Sequence, residues 1–447
     1  NSKERNELCE ELERTAAVTE EVPIVIGDEC IKEGEPRYQV MPHDHGKKLA
    51  KFYYASEKLM AGAHRQSLNA ATMLGQSKTV IQAEIDAACE LIDFIRFNVS
   101  FLRDSSNYQP ISENAAITKN SLRFRGIDGF IAAISPFNFT AIGGNLSYTP
   151  ALMGNGVVWK PSDTALLSNW RIFNIMREAG VPAGVVNFVP ADGPTFGRTI
   201  TCSPYLSGIN FTGSVPTFNW LWNAVGQNIN NYRNYPRLIG ECGGKNYHFI
   251  HPTADVQSVV TSTIRSAFEY CGQKCSACSR IYVPRSLYES ITQGLHEEVK
   301  KLKIGDPSDF SVFAAAVIDA TAFNRITTYI KNAKNNPNNK ILSGGKFDNC
   351  KGYFVTPTII ETKDPYDKLM TEEIFGPVLT MYVYEDKDVL KTLCSVGPST
   401  KFALTGAVFA QDQSFLQVAL EELKTTAGNF YINDKSTGSV VGQQPFG

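Results

Sequence analysis

Residues 129–160 read GFIAAISPFNFTAIGGNLSYTPALMGNGVVWK, and this stretch decides the fold class. Two short apolar runs in it, at 130–134 and 157–159, predict buried strands. The stretch carries no charge before Lys160, but two prolines and a pair of glycines interrupt it, so it does not predict a membrane span. It indicates instead a neutral region that is buried or faces a ligand.

Downstream of this stretch, strand-like runs alternate with amphipathic helical runs. The predicted helices are 165–179, 215–227, 256–270, 287–302, 320–333 and 414–423, and the further predicted strands are 185–189, 206–211, 237–241, 281–283, 353–360, 378–384 and 429–432. Strands separated by helices of this length predict parallel βαβ units, and therefore an α/β protein with doubly wound sheets. The pattern restarts near 241–246, which indicates two successive α/β units.

The composition is that of a globular protein that acts on a small molecule. Of 447 residues, 43% are hydrophobic, and 43 Lys plus Arg are balanced by 45 Asp plus Glu. A net charge of −2 gives no electrostatic basis for nucleic acid or an anionic membrane as the main partner. The ten cysteines are too sparse for a disulfide scaffold in a chain of this length, and they favour a reducing compartment.

Three of the cysteines, Cys271, Cys275 and Cys278, are clustered in the sequence. Their spacing resembles that of an iron–sulfur triplet, and clustered thiolates can also bind zinc. The alternative is a single nucleophile, Cys275, with two small buried neighbours at the end of an apolar helix. Because a motif match by itself is weak support for a metal, the sequence favours the nucleophile and no metal is expected.

A thiolate that attacks a carbonyl needs a donor for the oxyanion and a base for later hydrolysis. Asn138 follows the predicted strand 130–134, and Glu241 ends the predicted strand 237–241 within the run GECGGKN. Ligands of open α/β sheets bind at this edge of the strands. Each residue also has a simpler explanation, Asn138 in an Asx turn and Glu241 as a helix cap or solvated loop residue.

The cofactor signal is indirect, because the dinucleotide fingerprint GxGxxG is absent. In its place, Gly213 and Ser214 join a predicted strand to the helix 215–227, and free N–H groups there would hold a pyrophosphate. Lys160 ends another strand and is placed to reach a ribose or a phosphate. The simpler explanations are a turn that leads into a helix for Gly213 and a solvated strand end for Lys160.

Six motifs occur in order along nearly the whole chain. They are PFNF at 136–139, KPS at 160–162, FTGS at 211–214, GECGGK at 240–245, GQKC at 272–275 and EEIFGP at 372–377. In this set and order the chain resembles the aldehyde dehydrogenase superfamily. The resemblance implies a Rossmann-type NAD-binding domain at 1–240 with N-terminal helical and flap segments. It also implies an α/β catalytic domain at 241–430, and a substrate-anchor loop with a truncated C-terminal segment at 431–447.

The resemblance also implies the roles of individual residues. Cys275 would be the nucleophile, Asn138 and the Cys275 backbone N–H the oxyanion donors, and Glu241 the base that activates water. The implied cofactor is NAD, and the residues implied to contact it are Ser135, Lys160, Ser162, Asp163, Gly213, Ser214, Glu373 and Phe375. A carboxylate at Asp163 would accept from ribose hydroxyls and repel a 2′-phosphate, which favours NAD over NADP.

Within the family, the amino-acid sequences of residues 134–145, 268–278 and 433–439 are similar to those of members that oxidise glutamate γ-semialdehyde to glutamate in the mitochondrial matrix. The residues implied to bind this substrate are Ser276, Gly438 and Ser439 at the carboxylate, Phe139 and Phe446 along the aliphatic chain, and Glu90 at the ammonium. A plain turn residue is the simpler explanation of Ser439. Succinate semialdehyde is an alternative substrate, and an iron–sulfur enzyme or a non-catalytic scaffold are alternatives of other classes.

The resemblance further implies a homodimer or a higher homo-oligomer of the full-length form. Family members continue beyond Gly447 into a closing segment and an oligomerisation strand, so the oligomerisation segment is expected to be incomplete here. The sequence between Tyr54 and Gln76 is also shorter than is usual in the family, as if a helix or two were absent.

Overall fold

The computed structural model describes residues 3–26, 29–32, 35–57, 65–114 and 116–444. They form two compact units. The first unit comprises residues 1–39, 48–75 and 83–242, and the second comprises 40–47, 76–82 and 243–447. The last of the crossings between the units, at 242/243, is beside the expected boundary at 240/241. The division into 1–240, 241–430 and 431–447 stays a prediction.

A nine-stranded sheet is the centre of the first unit, with the strand order β3-β4-β2-β1-β7-β6-β5-β8-β9. The strands are β1 (Glu20–Ile26), β2 (Glu29–Ile31), β3 (Arg37–Met41), β4 (Asp44–Glu57), β5 (Phe130–Ile134), β6 (Gly156–Lys160), β7 (Val186–Phe188), β8 (Leu206–Thr212) and β9 (Arg237–Glu241). Neighbouring strands from β7 to β9 are parallel, whereas β1 joins β7 antiparallel. Strand order reverses between β5 and β8, which is the point where open α/β sheets bind ligands.

The second unit contains a seven-stranded sheet in the order β12-β15-β16-β11-β10-β17-β18. The remaining strands are β10 (Asn246–Ile250), β11 (Cys278–Pro284), β12 (Asn339–Ser343), β13 (Phe347–Asp348), β14 (Phe354–Val355), β15 (Thr358–Thr362), β16 (Val378–Tyr384), β17 (Thr405–Phe409) and β18 (Asn429–Ile432). All neighbours in the sheet are parallel except β12 and β15. Because both faces of the central strands are covered, β10 and β17 are buried along their whole length.

Helices connect these strands. They are α1 (Lys3–Ala17), α2 (Arg65–Gln76), α3 (Val80–Ala83), α4 (Glu90–Asn107), α5 (Thr140–Leu152), α6 (Leu166–Glu178), α7 (Gly193–Cys202), α8 (Val215–Gln227), α9 (Val256–Phe268), α10 (Tyr288–Lys301), α11 (Ala320–Asn335), α12 (Lys368–Thr371), α13 (Val389–Ser395) and α14 (Gln413–Leu423). None of the helices in the described part of the chain is long and apolar enough to cross a membrane.

The helices and strands predicted between β5 and β18 are present, with two corrections, whereas α5, α7, α12, α13, β10, β12, β13 and β17 were not predicted. The helix predicted at 256–270 ends at Phe268, because Tyr270 and Cys271 have left-handed φ angles of 51° and 52°. The strand predicted at 353–360 is two strands, β14 and β15, separated by Thr356 and Pro357. Proline supplies no N–H for a ladder, so a continuous strand is unfavourable there.

Candidate active site

The residues predicted for the first unit lie where parallel strands end. Ser135 follows β5, Lys160 ends β6, Gly213 follows β8 and Glu241 ends β9. Carboxyl ends of neighbouring parallel strands meet at one edge of a sheet, so these four positions share that edge. The fold therefore brings together residues that are up to 106 positions apart (135 to 241).

Asn138 and Phe139 occupy the turn between β5 and α5. Asn138 is buried and Phe139 is half-buried, directly before the first helical residue, Thr140. Ser135 begins this turn: its N–H donates to the Lys160 carbonyl (3.1 Å), and its hydroxyl accepts from Trp159 Nε1 (3.0 Å). These bonds tie the start of the Asn138 turn to β6, which gives Ser135 a structural role beside the cofactor contact predicted for it.

Lys160 and Asp163 form a partly buried ion pair at the end of β6. Lys160 Nζ lies 3.7 Å from Asp163 Oδ1 and donates to the Pro161 carbonyl at 2.9 Å. Burial lowers the pKa of Lys160, while the Asp163 carboxylate opposes that shift. Ser162 lies between them, with its hydroxyl 3.2 Å from that of Thr164. The arrangement offers one cation and one carboxylate to a ligand at this strand end.

The turn from β8 into α8 differs from the expectation of free N–H groups. The Gly213 N–H donates to the Glu241 carbonyl at 3.1 Å. Ser214 is the N-cap of α8, and its hydroxyl accepts from the Thr217 N–H. The Gly213 N–H is therefore already used within the protein, because it joins the ends of β8 and β9. A side chain at Gly213 would also meet the Phe211 ring, since its Cβ would lie 2.7 Å from that ring.

Glu241 is the titratable group at this edge whose pKa moves most toward neutrality. Burial raises its pKa to about 7, because the carboxylate loses solvation when it is removed from water. A general base works best when its pKa lies near the operating pH. A pKa of about 7 is one property that the predicted role of Glu241 as a general base requires.

Glu90, predicted for the substrate ammonium, is the first residue of α4. It directly follows a π-helical turn, Glu84–Cys89, and is half-buried. π-helical turns are rare in proteins, but those that do occur are often at functional sites, because they change which side chains a helix presents. No sequence pattern indicated this turn.

In the second unit, the predicted residues precede parallel strands instead of following them. Gly244 lies just before β10, Cys275 just before β11, and Glu373 and Phe375 just before β16. These three strands are neighbours, with β11 between the other two. Their starting ends meet at one edge of the sheet, so the fold gathers these residues there.

Cys275 is held by its own backbone. Its side chain is almost fully buried (8% exposed), and its carbonyl accepts from Asn246 Nδ2 at 2.6 Å. Asn246 Oδ1 accepts from the Thr405 N–H at 3.0 Å, which fixes the orientation of the amide. Gly244 is required beside this contact, because a Cβ there would lie 2.4 Å from the Cys275 carbonyl oxygen.

A left-handed turn leads into residues 273–277, here called the nucleophile loop because they include Cys275. Tyr270, Cys271 and Gly272 have φ angles of 51°, 52° and 63°. For the two non-glycine residues this conformation costs about 1–2 kcal/mol each, so surrounding contacts must hold it. The Tyr270 hydroxyl donates to the Gln76 carbonyl at 2.9 Å, and the Gln273 side chain accepts from the Ile318 N–H at 2.9 Å.

The two neighbouring cysteines are buried thiols. Cys271 Sγ donates to the Ala315 carbonyl at 3.0 Å, and Cys278 Sγ lies 3.4 Å from the Arg280 carbonyl. Burial raises the pKa of each thiol to about 12, which keeps both protonated near neutral pH. Thiolates are the form that binds metals. Within the described residues, no three His, Cys, Asp or Glu side chains are grouped so as to hold a metal ion.

Glu373 is positioned by the glycine pair of the GECGGK motif. The Gly244 N–H donates to Glu373 Oε1 at 2.8 Å, and a Cβ at Gly243 would lie 2.2 Å from the carboxylate oxygens. Burial raises the pKa of Glu373, and the Gly244 N–H and the Lys245 ammonium oppose that shift. Glu373 and Phe375, whose φ is 55°, line one small cavity together with residues of the nucleophile loop.

The predicted anchor for the substrate carboxylate is partly assembled. The hydroxyls of Ser276 and Thr437 lie 2.6 Å apart, which joins the nucleophile loop to residues 433–440, here called the anchor loop. Gly438 has a φ of 98°, a conformation that favours glycine. Ser439 is half-buried. Burial raises the pKa of the Tyr431 hydroxyl, and a hydrogen bond with the Ser439 side chain opposes that rise. Phe446 lies outside the described residues.

Sequence reasoning missed Asn246 and Thr437. Asn246 directly follows the GECGGK motif, and Thr437 directly precedes Gly438, so both are adjacent to recognised motifs. In each case, the position beside a recognised motif or predicted site residue was the signal in the sequence that could have identified the residue. Their roles depend on contacts with residues 29 and 161 positions away, which no local pattern reveals.

The chain has two α/β sheets, a loop that carries the buried Cys275, and a glutamate, Glu241, whose pKa is about 7. These features together are typical of one class of enzyme. The chain belongs to the aldehyde dehydrogenase family, whose profile matches residues 30–447. This confirms the predicted family and the predicted α/β aldehyde dehydrogenase fold.

Named relatives are similar to the chain over its whole length. It is 53% identical to the delta-1-pyrroline-5-carboxylate dehydrogenase, mitochondrial, of Bos taurus over 480 residues, covering 100% of this chain and 85% of that protein. Identity to the Dictyostelium discoideum protein of the same name is 46%, covering 99% and 85%. The structure of the delta-pyrroline-5-carboxylate dehydrogenase from Mycobacterium tuberculosis bound with NAD matches with a TM-score of 0.93 at 40% identity, covering 100% and 88%.

Proposed function

We propose that this chain catalyses the NAD-dependent oxidation of L-glutamate γ-semialdehyde to L-glutamate in proline catabolism. The observation that carries the proposal is the Ser276–Thr437 contact of 2.6 Å, because it joins the cysteine loop to the loop expected to bind the substrate carboxylate. The names of the relatives support the same substrate.

Acylation is assigned to Cys275 and Asn138. The Cys275 thiolate adds to the aldehyde carbon, a C–S bond forms, and the carbonyl oxygen becomes an oxyanion. The Asn138 amide and the Cys275 backbone N–H donate to that oxygen and stabilise its charge. Asn246 Nδ2 donates to the Cys275 carbonyl, and Gly244 has no side chain that would displace it, so the loop does not have to reorganise during this step.

Deacylation is assigned to Glu241. After loss of hydride the substrate is a thioester on Cys275, which water must hydrolyse. The Glu241 carboxylate takes a proton from the attacking water, and the C–S bond then breaks with Cys275 leaving as a thiolate. With a pKa of about 7, a large share of Glu241 is ionised and ready to accept that proton at neutral pH.

NAD supplies the hydride acceptor when it is bound, and each unit, taken by itself, has residues that fit it. The Glu373 carboxylate is held by a backbone N–H through one oxygen, which leaves the second oxygen as an acceptor for ribose hydroxyls. The Lys160–Asp163 pair offers a cation and a carboxylate at the end of β6. A carboxylate at Asp163 repels a 2′-phosphate, which supports NAD over NADP.

The anchor loop is expected to select substrates that carry a carboxylate. Ser439→Val should raise KM for glutamate γ-semialdehyde about tenfold, because a buried carboxylate loses a hydroxyl donor. KM for propanal should change little. The measurement is initial rates of NADH formation with glutamate γ-semialdehyde, succinate semialdehyde and propanal, and the first should have the highest kcat/KM in the unmodified enzyme.

Ser395→Val is the matched control, because Ser395 lies in α13 and its hydroxyl donates to the Thr392 carbonyl. It should leave all three substrates unaffected. Equal kcat/KM for propanal and glutamate γ-semialdehyde, or a Ser439→Val loss that is the same with and without a carboxylate, would contradict the substrate assignment.

We also propose that the enzyme is a homo-oligomer that uses an apolar arm after α4, which comprises residues 108–114 and 116–124. The side chains of Tyr108, Ile111 and Ile117 are 82%, 86% and 81% exposed, and the Gln109 side chain bridges to Leu122 through two hydrogen bonds. An ordered segment with this much exposed apolar surface fits a second copy of the chain. Residence in the mitochondrial matrix is proposed from the names of the relatives.

Charge on the arm should dissociate the oligomer. We expect the double variant Ile111→Asp, Ile117→Asp to sediment as a smaller species than the unmodified enzyme, because two carboxylates cannot be buried in an apolar contact. Tyr235→Asp is the control, since Tyr235 is equally exposed (80%) but lies outside the arm. An unchanged sedimentation coefficient in the double variant would exclude the arm as the interface.

A further inference from the structure

His248 lies in the middle of β10 and is fully buried (0% exposed). Its Nε2 is 3.1 Å from the Ser436 backbone N–H, and its Nδ1 is 2.9 Å from the Thr263 hydroxyl. A backbone N–H can only donate, so Nε2 must be the unprotonated acceptor. The ring proton is therefore on Nδ1 and donates to Thr263, which assigns one neutral tautomer to this histidine.

The residue that His248 holds, Ser436, lies within the anchor loop. Ser436 is fully buried, and its hydroxyl lies 3.1 Å from the Ser266 hydroxyl, which accepts the Cys278 N–H at 3.2 Å. The next residue, Thr437, contacts Ser276. Two consecutive residues of the anchor loop are thus fastened to the segment that carries the nucleophile, and Gly438 and Ser439 follow directly.

Burial also keeps the ring neutral. Loss of solvation lowers the pKa of His248 to about 3, so the imidazole accepts from Ser436 throughout the physiological pH range. A protonated ring would present a second N–H to the Ser436 N–H, and the bond would be lost. The contact therefore depends on an acceptor at the position of Nε2.

We propose that His248 is a positioning residue for substrate selection: its Nε2 holds the Ser436 N–H and so fixes the place where Gly438 and Ser439 meet the substrate carboxylate. This inference rests on the proposed function of the anchor loop. A histidine that only fills the core would affect all aldehydes alike, because it would act through the stability of the whole unit. A positioning residue affects KM for carboxylate-bearing aldehydes selectively.

Two substitutions of similar size separate these roles. In His248→Gln the side-chain oxygen can take the place of Nε2, whereas in His248→Asn the amide can replace Nδ1 toward Thr263 but leaves Ser436 without its acceptor. We expect His248→Asn to raise KM for glutamate γ-semialdehyde about tenfold, the effect of one lost hydrogen bond. The rise for His248→Gln should be less than about threefold, and KM for propanal should change far less than that for the semialdehyde.

His251→Asn is the matched control. His251 follows the same strand, its Nδ1 lies 2.8 Å from the Thr253 hydroxyl, and its ring stacks on Phe415. It should leave both substrates unchanged. Equal KM changes for the two substrates in His248→Asn, or equal changes in His248→Asn and His248→Gln, would overturn the inference.

If the His248 variants do not accumulate as folded protein, Thr263→Val tests the same contact by removing the partner that orients the ring. It should raise KM for the semialdehyde at least about twofold more than KM for propanal, and the absence of that split would overturn the inference. The two hypotheses fail separately. An unmodified enzyme that shows no preference for glutamate γ-semialdehyde over propanal would contradict the proposed function. An enzyme with that preference, retained in His248→Asn, would contradict the role of His248 alone.

Discussion

Replacing Cys275 by alanine is expected to abolish aldehyde oxidation, with kcat/KM falling by at least about 10⁴-fold. The reason is that the proposed reaction passes through a covalent bond to this sulfur, and no other group can form it. The measurement is NADH formation from glutamate γ-semialdehyde at saturating NAD. Binding of NAD, followed by the quenching of protein fluorescence, should remain in the variant.

Cys271→Ala and Cys278→Ala are the controls. Both thiols are bound to backbone carbonyls and have pKa values near 12, so neither provides a thiolate at neutral pH. Each variant should retain most of its activity and lose about 1 kcal/mol of stability from the missing hydrogen bond. Loss of activity in all three variants together with bound iron or zinc would support the iron–sulfur or zinc alternative instead.

Glu241→Gln is expected to separate the two half-reactions. Acylation should still produce one equivalent of NADH in a rapid burst, and later turnover should be about 10²–10⁴-fold slower because the amide cannot take a proton from water. In the unmodified enzyme, thioester hydrolysis should rise as pH increases through about 7, because the ionised carboxylate is the active form. In Glu241→Gln this dependence should be absent.

Asn138→Ala provides the contrast. It should slow the burst itself by about 10²–10³-fold, the usual effect of one oxyanion donor. Rapid-quench measurement of the first turnover distinguishes the variants. A slow burst in Glu241→Gln followed by normal hydrolysis would reverse the two assignments.

Much of the fold followed from local patterns. The helix predicted at 215–227 and the strands predicted at 130–134 and 237–241 have the bounds of α8, β5 and β9. Each is a run with the hydrophobic period of one element and a clear signal at its ends, such as Ser214 as the N-cap. The strands β1 to β4, β10, β12, β13 and β17 were not predicted from the sequence.

The site was predictable as a set of residue types and less so as a set of contacts. Cys275, Glu241, Asn138 and Glu373 were identified because each lies in a short sequence motif of the family. One N–H group of the turn after β8 is not free as expected, because the Gly213 N–H bonds to the Glu241 carbonyl on the neighbouring strand. A local pattern cannot indicate which donors a distant strand has already taken.

The sequence by itself determined the α/β class, the order of its elements and the chemical groups available for catalysis, because hydrophobic period and residue identity are local properties. Only the tertiary structure decided which of those groups have shifted pKa values and which hydrogen bonds they make. It decided that Glu241 has a pKa of about 7 while the thiols of Cys271 and Cys278 stay protonated. It also decided that His248 is a neutral acceptor for the anchor loop. These properties depend on burial and on partners far away in the chain, and desolvation and hydrogen bonding arise only when the chain has folded.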